Sequence, residues 1–349
     1  MPAEHPATAA APTRWGILAT GKIAHQFALD LALVPGAELA AAGSRSLESA
    51  TRFVETHAEA HPGARAHGSY ADLVADPDVD VVYIASPHSM HLEHARMAFE
   101  AGKHVLCEKP VTLTAADAEE MVRLAREHDR FLMEAMWTAC HPVVRALADG
   151  LRSGRWGTPR HLHAELGFVV PPDPSSRMLD PALGASALLD MGIYPLTFAH
   201  LMLGEAEQVS ALGSLTERGI DLDVAMVGRH AGGALATMNA SMSSWSSRAA
   251  MIATDRGRID VADFHHPTSA TFTPYDAGSS NDETATASVE TIVGDEPVLG
   301  RGYGNEAAEV QRCLAAGLRE SPLVPHAQTL SLMHRLDDVR GQIGVSFPA

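Results

Sequence analysis

Residues 16–24 read GILATGKIA, and this stretch decides the fold. An apolar run ends in a loop of small residues, which opens directly into a helical pattern. The dinucleotide fingerprint of a strand–turn–helix unit needs three small positions, filled here by Ala19, Gly21 and Ala24. Ala19 stands where the first glycine belongs, Gly21 leaves the backbone open to a pyrophosphate, and Ala24 permits close helix–sheet packing. The free N–H groups at the helix start, carried by residues such as Thr20, Gly21, Lys22 and Ile23, can hold phosphate oxygens. The competing reading is a turn of small residues with no ligand. Lys22 either adds charge to this loop or points into solvent.

Around this loop, strand and helix patterns alternate. Strand candidates are residues 15–19, 38–43, 79–85 (VDVVYIA), 103–107 and 131–136, and helical periodicity covers 23–34, 46–58 and 89–100. Gly102 stops the last of these helices, and Thr114 caps a further one with Asp117 in its first turn. An almost wholly apolar, β-branched run such as 79–85 marks a central parallel strand. The alternation predicts a doubly wound, Rossmann-type parallel sheet over residues 13–136. Residues 1–12, rich in Pro and Ala, read as a disordered leader.

The pattern changes over residues 137–349. A strand candidate at 161–166 precedes a Pro/Asp/Gly-rich loop at 170–186 and a helical stretch at 188–203. Strand candidates then dominate, at 208–212, 223–230, 234–241, 249–254, 258–261 and 286–292. Turns at 231–233 and 255–257 would join neighbours as hairpins. Residues 279–284 read as a polar surface loop, and helices at 305–318 and 328–339 close the chain. The expected second domain is α+β, with a large, mostly antiparallel open sheet.

Composition narrows the function classes. The 349 residues suit two domains, and a formal charge of −17 repels nucleic acid and anionic lipid. No run of eighteen uncharged apolar residues occurs. Three scattered cysteines offer neither a disulfide framework nor a metal-knuckle spacing. With an N-terminus lacking a basic start and an apolar stretch, this fits a cytoplasmic protein.

The end of the second strand selects the nucleotide. A carboxylate there would accept the ribose hydroxyls of NAD, but residues 41–46 read AAGSRS. Ser44 offers a hydroxyl and Arg45 a fork of donors for a 2'-phosphate, so NADP is expected. The alternative for Arg45 is a surface side chain at a helix start.

Residues 103–110 read KHVLCEKP, and they place Glu108, Lys109 and Pro110 at the carboxyl edge of a buried strand, where open α/β sheets bind ligands. With GILATGKIA, this segment joins residues 85–91 (ASPHSMH), 134–138 (EAMWT), 177–182 (RMLDPA), 188–196 (LLDMGIYPL) and 305–317 (NEAAEVQRCLAAG). Together they resemble the glucose-fructose oxidoreductase, inositol dehydrogenase and rhizopine-catabolism (Gfo/Idh/MocA) family over the chain after the leader. EAMWT and RMLDPA…LLDMGIYPL are most similar to the branch of dimeric dihydrodiol dehydrogenases and NADP-dependent D-xylose dehydrogenases.

The resemblance implies that Lys109 contacts the nicotinamide ribose and the substrate, and that Asp190 and Tyr194 complete the catalytic site. It implies that Ser86, Pro87, His88, His91 and Glu108 lie along the cofactor. Trp137 either walls the nicotinamide and substrate or packs in the core. Arg177 either reaches a substrate hydroxyl or braces Asp180. His88, His91 and His94 invite a metal reading, but relatives need none, so no metal is expected. Chemically, Tyr194 can take the hydroxyl proton if Lys109 lowers its pKa, and the ammonium can stabilise the developing alkoxide. The chain departs from the branch at Ala139, Cys140 and His141, and at Gly184, Ala185 and Ser186. Both departures are expected near the substrate pocket. The function implied is NADP-dependent hydride transfer to or from a hydroxyl-bearing carbon of a sugar, polyol or cyclic diol. Its alternatives are an NADPH-dependent keto-sugar or deoxysugar reductase, and a non-catalytic NADP(H)-binding sensor. A homodimer through the open face of the second sheet is expected, with a tetramer as the alternative.

Overall fold

The computed structural model describes residues 12–173, 176–275 and 288–345. Eleven residues of the expected leader, the loop at 279–284 and the start of the strand expected at 286–292 lie outside them.

The first domain is a six-stranded parallel sheet in the order β3-β2-β1-β4-β5-β6. Its strands are β1 (Thr13–Leu18), β2 (Ala37–Gly43), β3 (Arg65–His67), β4 (Val81–Ile84), β5 (His104–Glu108) and β6 (Leu132–Ala135). Helices α1 (Lys22–Leu31), α2 (Leu47–Thr56), α3 (Tyr70–Ala75), α4 (His91–Glu100) and α5 (Ala115–Glu127) connect them. Every residue of β4 is buried, as its two-sided burial between helices requires. Thr114 accepts the Asp117 N–H as the N-cap of α5. The strand order reverses between β1 and β4, which opens a crevice at their carboxyl ends. Strand β3 and helix α3 were not anticipated. The one is three residues long and the other a six-residue turn, too short for periodicity to show.

The chain then makes two helices that the sequence reading missed, α6 (Trp137–Cys140) and α7 (Pro142–Arg152). An eight-stranded sheet follows, in the order β14-β13-β12-β11-β7-β10-β9-β8. Its strands are β7 (Pro159–Gly167), β8 (Ala206–Leu215), β9 (Asp221–His230), β10 (Leu235–Ser241), β11 (Ala250–Thr254), β12 (Gly257–Val261), β13 (Ala270–Pro274) and β14 (Glu290–Ile292). The sheet is antiparallel except for the parallel pair β7 and β10. Strand β13 was not expected. The stretch expected to be one helix at 188–203 is a π-helical turn (Leu188–Gly192) leading into α8 (Ile193–Leu203). The stretch Pro181–Leu203 has the length and apolarity of a membrane span, but it forms the core beneath the second sheet, 89% buried in its most apolar window.

Helices α9 (Tyr303–Ala315) and α10 (His326–Ile343) return to the first domain. Asp30 in α1 accepts the backbone N–H groups of Arg301 (2.7 Å) and Tyr303 (3.1 Å), capping α9 from another domain. A β-carbon on Gly300 would fall 2.2 Å from the Asp30 carboxylate, so the turn closes around it only with glycine. Asp337 in α10 accepts the Ala115 N–H of α5 at 2.9 Å.

Candidate active site

The loop after β1 has the shape its small residues imply. Ala19 adopts φ +75°, the left-handed conformation a glycine would take there. Gly21 caps α1 without any side-chain bond, and a β-carbon on it would meet nothing within 4 Å. The first-turn N–H groups of α1 are thus open to a ligand, as pyrophosphate binding needs. Thr20 donates to the Ser44 hydroxyl at 3.3 Å, which ties this loop to the end of β2. Lys22 is exposed beside the loop, and Ile23 is half-buried behind it. Arg45 is exposed, with no carboxylate partner among the described residues, and Ser46 caps α2 next to it. Residues 41–46, which form this strand end, include no acidic side chain. These groups fit a 2'-phosphorylated dinucleotide laid across the crevice.

The end of β5 carries the chemistry. The Lys109–Pro110 bond is cis. Lys109 Nζ donates to the backbone carbonyl of Asp190 at 2.8 Å and lies 4.6 Å from the centre of the Tyr194 ring. The Asp190 carbonyl orients the ammonium. Pro195 has no N–H to give back to the preceding turn, and that turn is π-helical. Asp190 Oδ1 takes an ion pair from Arg177 at 3.0 Å and sits 3.9 Å from His88 Nε2. Asp190 Oδ2 and His88 Nδ1 are buried without a partner among the described residues, as groups awaiting a ligand would be. Arg177 therefore braces Asp190; Asp180 instead caps the next turn through the Ala182 N–H.

Tyr194 accepts a hydrogen bond from Trp137 Nε1 at 3.2 Å. Its ring meets His265 edge-on at 4.5 Å. Trp137 is buried behind it, against His266 and Tyr303. Burial pushes the Tyr194 phenol well above its ordinary value and pulls the Lys109 ammonium below its own. This corrects the expected lowering of Tyr194: in the protein alone, desolvation outweighs the nearby ammonium. Asp190 is held low despite burial, because His88, Arg177 and Lys109 surround it.

Three residues expected along the cofactor turn their side chains to protein partners. His91 is fully buried, with Nδ1 at the Pro110 (3.0 Å) and Val111 (3.2 Å) carbonyls and Nε2 at the Ser86 carbonyl (2.9 Å). It brackets the β4 and β5 loops rather than facing a ligand. The Ser86 hydroxyl is taken up by His94 at 2.8 Å. Glu108 turns inward, bonded to the Tyr83 hydroxyl and the Lys109 N–H. Pro87 is half-buried at the crevice, just ahead of His88.

Lys109, Arg177, Asp190 and Tyr194 line one cavity of about 410 Å³. Phe168, Trp245, Arg248, His265, His266 and Arg301 form its far side. None of these six was singled out from sequence. They lie on loops with no periodicity, and the one visible hint was the paired His265-His266. The departures at 139–141 and 184–186, expected near the pocket, do not line it. Ala139 and Cys140 are buried in α6, and Ser186 bonds Asp221 at 3.1 Å. A larger cavity, about 540 Å³, lies between α7, α8 and the β9–β10 turn, away from this chemistry.

Comparison with known proteins gives the same picture. Residues 13–136 match the family described as "Oxidoreductase family, NAD-binding Rossmann fold", and residues 144–260 match "GFO/IDH/MocA C-terminal domain". The trans-1,2-dihydrobenzene-1,2-diol dehydrogenase of Mus musculus is 34% identical over 96% of this chain and 98% of its own length. The D-xylose 1-dehydrogenase (NADP(+)) of Hypocrea jecorina is 35% identical over 96% and 93%. Among solved structures, KijD10, a 3-ketoreductase from Actinomadura kijaniata in complex with NADP and TDP-benzene, superposes with a TM-score of 0.81 at 26% identity, covering 97% of this chain and all of that one. With the fingerprint loop, the Lys109–Pro110 turn and the matched second domain in one chain, this protein belongs to the Gfo/Idh/MocA oxidoreductase family.

Proposed function

We propose that this protein is an NADP-dependent oxidoreductase that transfers hydride between nicotinamide and a hydroxyl-bearing carbon of a sugar or cyclic diol. The observation that carries this reading is the convergence of Lys109, Asp190 and Tyr194 on one cavity, with Lys109 at the same carboxyl edge of the first sheet as the open phosphate loop. NADP, when bound, supplies the hydride acceptor or donor. Residues 19–23 would hold its pyrophosphate, and Ser44 and Arg45 its 2'-phosphate. The relatives' names, a diol dehydrogenase and an NADP-dependent xylose dehydrogenase, support both halves.

The chain's own groups then handle the proton. Tyr194, aligned by Trp137, accepts the hydroxyl proton in the oxidation direction and returns it in reduction. Lys109, fixed by the Asp190 carbonyl, stabilises the alkoxide oxygen. Asp190, braced by Arg177, keeps the ammonium charged and offers its free Oδ2 to a substrate hydroxyl. A pure sensor needs no such acid–base set. Keto-sugar reduction would use the same groups in reverse, and the likeness to a 3-ketoreductase favours testing it.

The test follows absorbance of the reduced nicotinamide with NADP+ and a panel of sugars and diols, and with NADPH and carbonyl compounds. Turnover in either direction supports the reading. Binding of NADP with no turnover on the whole panel overturns it. We further propose a cytoplasmic homodimer formed through the open face of the second sheet, where Leu212 and Val227 are exposed. Light scattering at twice the 37.0 kDa chain mass checks the dimer.

A further inference from the structure

The cavity's far wall carries more positive charge than the hydride chemistry uses. Lys109, Arg177, Arg248 and Arg301 all line the cavity, the last two on this far wall, in a chain whose formal charge is −17. Two carboxylates answer these four cations: Asp190 pairs with Arg177 at 3.0 Å, and Asp263 with Arg248 at 3.0 Å. Lys109 is committed to the reacting oxygen. The Arg301 guanidinium has no carboxylate partner among the described residues.

The wall is also built with care. Asp263 Oδ1 accepts the N–H groups of His265 and His266, both at 3.1 Å, while Oδ2 holds Arg248. One carboxylate thus sets two rings and one guanidinium around the cavity. Arg248 sits at φ +58°, where a non-glycine side chain is strained. Its N–H donates to the Ser246 hydroxyl at 3.2 Å, and its carbonyl accepts from the Phe264 N–H at 2.9 Å, which keeps it there. Glycine or asparagine would satisfy that backbone more easily, so an arginine there points to use of its side chain. Burial above all keeps His265 from protonating, and the charges of Lys109, Arg248 and Arg301 around it act in the same direction.

We propose that the substrate is anionic: a single sugar-like ring that bears a carboxylate or phosphate, held by Arg301 and Arg248 while its hydroxyl-bearing carbon faces Lys109 and Tyr194. Arginine forks bind both anions in two-point geometry. The volume, about 410 Å³, lies near the low end of ligand pockets, which suits one ring rather than a nucleotide-linked sugar. Trp245, 81% exposed at the cavity, offers a flat face to that ring. The proposal rests on the oxidoreductase reading of the same cavity.

The experiment measures kcat/KM with NADP+ for D-glucose, D-glucuronate and D-glucose 6-phosphate, on the full chain and on Arg301→Gln and Arg248→Asn. Asparagine tolerates the left-handed backbone at 248, so that variant removes charge without adding strain. The expected result is a preference of at least about tenfold for one of the two acids over glucose, seen mainly in KM. Which acid wins separates carboxylate from phosphate. Each variant should shrink the acid-to-neutral ratio about tenfold or more, while NADP affinity, followed by protein fluorescence, stays put. Glucose oxidised as well as both acids overturns the anionic substrate and leaves the oxidoreductase reading standing. A loss of NADP affinity equal to the loss for the acid also overturns it, since the arginines would then serve the cofactor. No hydride transfer with any of the three, or with the broader panel, overturns both.

Discussion

At the scale of single residues, the proton acceptor and the nucleotide selector are separable. Tyr194 touches Trp137, His265 and the Lys109 ammonium, but not the phosphate loop. Tyr194→Phe keeps those ring contacts and deletes the proton acceptor, so kcat should fall about 10²–10⁴-fold with NADP affinity intact. A variant that turns over at full rate would remove Tyr194 from the chemistry. Burial holds the phenol above its ordinary value, and the base form is the deprotonated one. In the oxidation direction kcat/KM should therefore climb as pH rises above neutral, whereas in reduction it should stay level until the phenol itself begins to ionise. Arg45 is at the other end of the crevice, exposed and unpaired among the described residues. Arg45→Ala should raise Kd for NADP by about tenfold or more and leave NAD almost untouched, because only the 2'-phosphate distinguishes them. Equal losses in a titration of both nucleotides would exclude a 2'-phosphate contact.

At the scale of elements, the first domain was legible because its chemistry is local. A strand, a loop of small residues and a helix follow one another in the chain, and GILATGKIA states all three. The same holds for β5 and the Lys109–Pro110 turn. The π-helical turn at Leu188–Gly192 was not legible, since the segment is apolar on every side and periodicity cannot choose its register. The far wall of the cavity was hidden for a different reason. Trp245, Arg248, His265, His266 and Arg301 come from three loops that only the second sheet and α9 bring together. Asp30 shows how distant elements set that wall. It is 2% exposed, and besides capping α9 it accepts from Gln26 Nε2 at 2.8 Å. Asp30→Ala would take the acceptor from two backbone donors and one amide in a part-buried place. That should cost about 1–3 kcal/mol of stability. It should also loosen the turn that bears Arg301, so KM should rise more than kcat falls. A urea titration alongside steady-state kinetics checks both, and unchanged stability would show that α9 is capped in some other way.

At the scale of the whole molecule, buried histidines set how the fold answers acid. The chain has 19 histidines. Burial pulls His88 down to about 3 and His91, His104 and His141 to about 4. Their ordinary value is near 6.5, so below that pH the unfolded chain takes up protons that the native state refuses. Each such group costs stability progressively as pH falls from about 6.5 towards its native value. Buried carboxyls act the other way, and burial raises Asp30, Glu108 and Glu306 among them. Glu134, bonded to the Val111 N–H and the Thr329 hydroxyl, is pushed up to about 7, and Asp221 to about 6. They bind protons more tightly when folded, so they add stability in acid and lose it as pH rises through those values. His57, His94, His200, His230, His265, His266 and His326 are lowered as well, so eleven histidines outnumber the five raised carboxyls. Relief of the −17 surface repulsion in acid would favour the opposite trend, but exposed charges are screened beyond about 8–10 Å in ordinary salt. The urea midpoint should accordingly fall by about 1 M or more between pH 7.5 and pH 5, with a net uptake of protons on unfolding. A midpoint that holds steady or rises over that interval would mean that these histidines find protons inside the native fold.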